Sequence, residues 1–276
     1  TALHPAHLEP QRSAEICGQC HGVLMTVNQP EDKWDWTMFG YHYRPGGELA
    51  STSQHFGDGV DHPAVNDFLR ENPGYMNTMF WSDGMIRVTG REYNGFIESP
   101  GLPHDDTART MTCLSCHRLH QDAADPRPIK TWADEQLEAE METNKACLQC
   151  HADFTDNLAQ HTRHHPDSSG SLCYNCHMPH TSYALYKGIR DHSISIPSVT
   201  SIRSNSRPNA CNLCHLDKTL EWTARNLANW RGESDEQIRK DLNLLTDDER
   251  SVAASLLYLL RGDAGQRVIA AYSMGW

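Results

Sequence analysis

From Leu220 onward, apolar residues recur at helical spacing. Leu220, Ala224, Leu227 and Trp230 fall on one face at i, i+4, i+7 and i+10, the period of an amphipathic helix. Three capping pairs follow, Ser234 with Gln237, Thr246 with Glu249 and Asp263 with Gln266. In each, a short side chain can accept from the free N–H groups of a helix's first turn. They predict short amphipathic helices over 235–245, 247–260 and 264–274, a small bundle of their own. Upstream the period fades. Thr131-Trp-Ala-Asp134 opens one more helix, continuing to 142. Met85-Ile-Arg-Val-Thr89 alternates as a short strand, and Arg44-Pro-Gly-Gly47, Asp58-Gly59 and Asp83-Gly84 read as turns. Within 22–112, aromatic residues such as Trp34, Trp36, Phe56, Phe68, Tyr75, Phe80 and Tyr93 replace the helical pattern. They suit a cover over large apolar groups better than the wall of a substrate pocket.

Such a pattern is thin for a core. The 276 residues are long enough for one large domain or two modest ones, but only 38% are hydrophobic and the mean hydropathy is −0.64. The cysteines change the picture. All ten lie in five copies of one short word: Cys17-Gly-Gln-Cys20-His21, Cys113-Leu-Ser-Cys116-His117, Cys147-Leu-Gln-Cys150-His151, Cys173-Tyr-Asn-Cys176-His177 and Cys211-Asn-Leu-Cys214-His215. C-x-x-C-H is the attachment site of c-type haem. Two intervening residues let both sulfurs reach one porphyrin edge as thioethers, and the next His turns its ring beneath the iron as proximal ligand. Zinc sites join C-x-x-C halves in pairs, and five is odd. Disulfides fit an exported chain but leave the five histidines without a cause. Five haem c groups are therefore expected, and as large apolar discs they supply the missing core, so the fold depends on them.

Five of the 17 histidines complete these words and twelve remain for five sixth positions. Supply exceeds demand, which favours irons closed on both faces, as in electron carriers. The distal candidates are His120, His164, His165 and His192, then His104, His62, His55, His42 and His180. His161 competes closely within its own cluster. Met25 would raise the potential of its haem, and His4 or His7 suit an arm reaching a haem here or in a neighbouring subunit. His120 and His180 each follow a proximal His by three residues, so they are placed to reach an adjacent haem rather than their own. The first cysteines of motifs two to five are 34, 26 and 38 residues apart, which forces neighbouring haems close together.

The formal net charge of −12, before any propionates, disfavours nucleic acid, which wants a basic face. It suits docking to basic patches on redox partner proteins. The longest apolar run, 252–260, is too short to span a bilayer. Haem is attached to such motifs outside the cytoplasm, so the expectation is an exported periplasmic or extracellular protein, its signal peptide removed before Thr1.

The run Phe80-Trp-Ser-Asp-Gly-Met-Ile-Arg-Val-Thr-Gly-Arg-Glu-Tyr-Asn-Gly95, the motifs at Cys113 and Cys147, the His164-His165-Pro166 cluster, Cys176-His-Met-Pro179 and Pro208-Asn-Ala-Cys-Asn-Leu-Cys-His-Leu-Asp-Lys218 resemble the paired-CxxCH multihaem cytochromes of respiring bacteria. The likeness covers most of 13–232. It implies a mainly α and irregular multihaem cytochrome c fold wrapped around five closely stacked covalent haems, mostly with two His ligands each. Some relatives carry TPR or HEAT-like helices after the haem domain, and 257–267 resembles the start of such an array. The expected division is a pentahaem domain over 1–218, with a haem-free insertion at 22–112, and a helical segment over 219–276. One or two repeats do not stand alone, so that segment is expected to dock on the haem domain or a partner. The stretch 101–109, with His104, is longer than the resemblance implies.

The leading expectation is a pentahaem cytochrome carrying electrons, not an enzyme. Two rivals compete: a reductase or oxidoreductase of a small nitrogen or sulfur oxyanion at one five-coordinate haem, and a subunit of a conductive extracellular filament built by head-to-tail contacts.

Overall fold

The computed structural model describes residues 3–27, 43–57, 59–100, 110–181, 188–202 and 205–275. The chain is mainly helical with long irregular connections, and its one sheet has two strands. Helix α1 (Pro10–His21) begins with a proline, whose missing N–H costs nothing there, and carries the first motif on its last turn. Strand β1 (Leu24–Thr26) pairs antiparallel with β2 (Ser53–His55), Leu24 opposite His55. Helices α2 (Pro63–Glu71), α3 (Tyr75–Met79) and α4 (Glu92–Ile97) follow. Phe56, Phe68 and Tyr75 pack on one another with ring centres 4.8–5.6 Å apart, beside Val23, Val65, Phe80 and Ile86. A second cluster, Ala14, Tyr43, Leu49, Tyr93 and Phe96, backs α1 and reaches Cys113. The strand expected at 85–89 is absent. Ile86 makes an isolated bridge to Phe80 across the Asp83-Gly84 turn, and the backbone turns again at Gly90, φ +77°.

The middle of the chain consists of short turns: α5 (Ile129–Glu135), α6 (Lys145–Leu148), α7 (Leu158–Thr162), α8 (Cys173–His177) and α9 (Ala210–Cys214). The helix expected over 131–142 starts two residues earlier and stops at Glu135. Gln136 turns left-handed at φ 52°, because 136–138 is drawn against the second motif: Arg118 N donates to Gln136 O and Glu138 N to Cys116 O. Between 114 and 209, prolines aside, Trp132 is the single fully buried apolar side chain among the described residues.

Helices α10 (Leu220–Arg231), α11 (Asp235–Asn243), α12 (Asp247–Ser251), α13 (Ala254–Arg261) and α14 (Ala264–Met274) form the C-terminal segment. The three sequence-read caps are made: Ser234 accepts from Gln237 N, while Thr246 with Glu249 and Asp263 with Gln266 close reciprocal capping boxes. The helix expected over 247–260 is broken. Val252 and Ala253 are extended, and the next residues bond elsewhere, Ala254 N to Lys218 O at 2.9 Å and Ser255 Oγ to Leu216 O at 2.5 Å. Leu220, Leu242, Leu245, Ala254, Tyr258 and Ala270 make its core. It packs on the rest of the chain through α14, which lies against α9. Arg87, buried and stacked on Trp81 at 4.3 Å, pairs with Asp263 at 3.0 Å. Gln266 donates to Ser206 O at 2.7 Å. No described helix is long and apolar enough to cross a membrane.

Candidate functional site

The five motifs meet in sequence order. Helix α1 packs on the 3-10 turn Cys113–Ser115, and the mutual influence of the Cys17 and Cys113 thiols draws Cys17 down to about 7 and pushes Cys113 up. Motif two meets motif three where Gln149 Nε2 donates to Ser115 O at 3.3 Å; burial, then the charge of Cys150, raises Cys116. Motif three meets motif four through Asn144, which accepts from Cys173 N and donates to Ser171 O, both at 2.8 Å. The nearby Cys147 thiol draws Cys173 down to about 7. Motif four meets motif five where α8 packs on α9; burial, then the charge of Cys176, pushes Cys211 up to about 12. No cysteine is in a disulfide.

Several histidine rings are anchored through Nδ1, which leaves Nε2 free of that bond. His117 is tied to Glu135 O at 2.9 Å, His177 to Ser195 O at 3.1 Å, His192 to Arg190 O at 3.0 Å and His164 to Thr162 O at 2.5 Å. His21 is tied to the Glu92 carboxylate at 2.9 Å. Burial lowers the pKa of His117, His177 and His215, which keeps them neutral, the form that binds metal.

Three motif histidines have a second imidazole beside them. Ring centres lie 6.2 Å apart for His117 and His192, 6.1 Å for His161 and His177, and 5.9 Å for His164 and His215. Imidazoles on opposite faces of one iron have ring centres roughly 6 Å apart, given about 2 Å per metal–nitrogen bond. His161 and His164 sit three residues apart at the end of α7, so one turn serves two motifs. His151 meets Phe154 at 6.3 Å, and Phe154 meets His161 at 4.5 Å.

The other candidates lie elsewhere. His165 is exposed beside Asp167 and His120 is exposed. His62 caps α2, its Nδ1 accepting from Ala64 N at 3.2 Å. His180 packs on Tyr272 of α14 at 5.2 Å, and Met25 packs beside Val23 and Phe56. His55, its pKa lowered by burial, lines a cavity of about 240 Å³ with Ala14, Glu15, Leu24 and Tyr93. His4 and His7 face each other at 5.2 Å. His42 and His104 lie outside the described residues.

The residues that hold the first motif fall in the 80–95 run that carries the resemblance, but sequence reasoning assigned them no role. Arg91 donates to Cys20 O at 2.9 Å, Glu92 takes His21, and buried Asn94 accepts from Val23 N at 2.6 Å and donates to Phe56 O at 2.8 Å. Asp191, fully buried, pairs with Arg207, which also reaches Asp83 at 3.0 Å; this fixes the backbone beside His192. Comparison of the chain with protein-family models, curated proteins and solved structures gave no match.

Proposed function

We propose that this chain is a pentahaem c-type cytochrome that carries electrons along a row of covalent haems in extracytoplasmic respiration. The observation that carries the reading is the unbroken run of contacts from motif one to motif five, together with three imidazole pairs at the separation one iron requires. Cys17, Cys20, Cys113, Cys116, Cys147, Cys150, Cys173, Cys176, Cys211 and Cys214 anchor the groups. His21, His117, His151, His177 and His215 are the proximal ligands, and His192, His161 and His164 close the second, fourth and fifth sites. Where the second, third and fourth motifs lie, the described chain buries few apolar side chains, which suits residues that fold around apolar discs. Bound haem supplies a one-electron iron couple. The chain sets its position, its ligands and its exposure.

Intact mass and spectra of the exported protein test this. A mass gain of five porphyrins, a Soret band and at least three low-spin haems are expected. His192→Ala, His161→Ala and His164→Ala should each convert one haem to high spin. The bare polypeptide mass, less a few hydrogens lost to disulfides, would sink the proposal.

A reductase reading draws on His21 and His151, the motif histidines with no second imidazole in contact among the described residues. Stoichiometric binding of nitrite or carbon monoxide to a high-spin haem in the unaltered protein would favour it.

A further inference from the structure

The first turn of α4 treats the first motif differently from the second and fourth. His117 and His177 reach backbone carbonyls through Nδ1, whereas His21 reaches a carboxylate oxygen, Glu92 Oε2, at 2.9 Å. Glu92 is itself held in place, its other oxygen accepting from Gly90 N at 3.0 Å. A carboxylate draws the Nδ1 proton toward itself and makes the opposite nitrogen a stronger donor to metal. A stronger donor favours the more highly charged ferric iron, so the site holds its electron less tightly. A carbonyl oxygen, without a full charge, does this less. Arg91 acts in the opposite sense, but it is exposed and occupied by the Cys20 and Gly90 carbonyls, where salt screens its charge.

We infer that Glu92 makes the first site the most reducing of the five, so that electrons enter at motif one and run toward motif five. These motifs are the two ends of the run of contacts, so the polarity lies along its whole length. The donor is a one-electron carrier protein. Each transfer oxidises one iron and reduces the next, with no bond made or broken. The inference rests on the pentahaem reading.

Potentiometric titration of the holoprotein, after its haem count has been established by mass, resolves the one-electron steps. In Glu92→Gln, which keeps a neutral hydrogen-bond partner, the most negative step is expected to move positive by about tenfold in equilibrium constant, roughly 59 mV for one electron. The second site's step should move less, because His192 also lies within the field of Glu92. Glu92→Asp, which keeps the charge, should stay nearer the unaltered protein. An unmoved most negative step in Glu92→Gln with five haems retained overturns the inference, as does a shift confined to another step. If Glu92→Gln does not mature, Cys17→Ala with Cys20→Ala, which removes the first haem, should delete the most negative step; deletion of a different step overturns the inference. A haem count below five in the unaltered protein would instead remove the reading beneath it.

Discussion

Gly170 lies directly beneath the ring of His164, so closely that a Cβ there would overlap the imidazole. The ring has little room to yield, because its Nδ1 is tied to Thr162 O, and Thr162 is hydrogen-bonded to Ser171, next to the glycine, at 3.0 Å. Gly170→Ala is therefore expected to destabilise by about 1–3 kcal/mol through overpacking and to push His164 away from His215. Electron paramagnetic resonance of the oxidised holoprotein should show one new high-spin haem in this variant. An unchanged spectrum would mean that His164 closes no site. Gly95 lies against the backbone on either side of the His192–Ser193 peptide bond, where a Cβ would come within 3.2 Å of Ser193 N. A side chain at Gly170 acts on an imidazole that the fold turns back on it, and one at Gly95 acts on backbone about a hundred residues away.

At the scale of elements, the N-terminus of α14 joins the C-terminal segment to the insertion. Asp263 caps its own helix through Gln266 N and pairs with buried Arg87. Burial works against its carboxylate, but the Gln266 N–H and Arg87 outweigh it and hold the pKa below the usual range. For a lowered carboxylate, the stabilisation is complete above the ordinary value of about 3.9 and is lost as pH falls through the lower folded value. Docking of α14 should thus hold at neutral pH and weaken below about pH 4. Asn caps a helix nearly as well as Asp, so Asp263→Asn keeps the cap while removing the ion pair and the oxygen that accepts from Asn205 N. It should cost about 2–3 kcal/mol, because it leaves Arg87 charged and buried. Amide hydrogen exchange of 264–274, read as protection relative to the intrinsic rate at each pH, follows both effects: low protection at neutral pH in the variant, and in the unaltered protein only in acid. Equal protection in the two proteins at pH 7 would show that the pair does not hold the helix.

Across the whole molecule, apolar cores form from the first hundred residues and from the C-terminal segment, and motifs two to five lie between these in sequence. The first has Val23, Phe56, Val65, Phe80 and Ile86, and the second has Leu220, Leu242, Tyr258 and their neighbours. Residues 114–209 have Trp132 and a web of polar contacts, too little apolar burial to offset the conformational entropy of so many ordered residues. A chain made in cells unable to attach haem is expected to keep protease resistance in 220–274 and to lose it across 114–209. Protection of both regions to the same degree in haem-free material would contradict a fold that depends on its porphyrins.

The sequence by itself determined what is local. The five C-x-x-C-H words need only fixed spacing, and the caps at Ser234, Thr246 and Asp263 need only a side chain three residues from its partner, so both could be read directly. Tertiary structure decided everything that joins distant segments. The helix at α5 ended early because the second motif took its backbone partners, and α12 parted from α13 because Leu216 and Lys218 offered carbonyls that no local rule contains. Among twelve spare histidines, the one set beside His117 is His192, 75 residues away, held there by Asp191, Arg207 and the gap at Gly95. His161 meets His177 although His165, three residues beyond Thr162, carries the same chemistry and faces solvent. Side-chain type names the candidates, but which imidazole meets which depends on how separate turns pack, and that information is carried by contacts rather than by spacing.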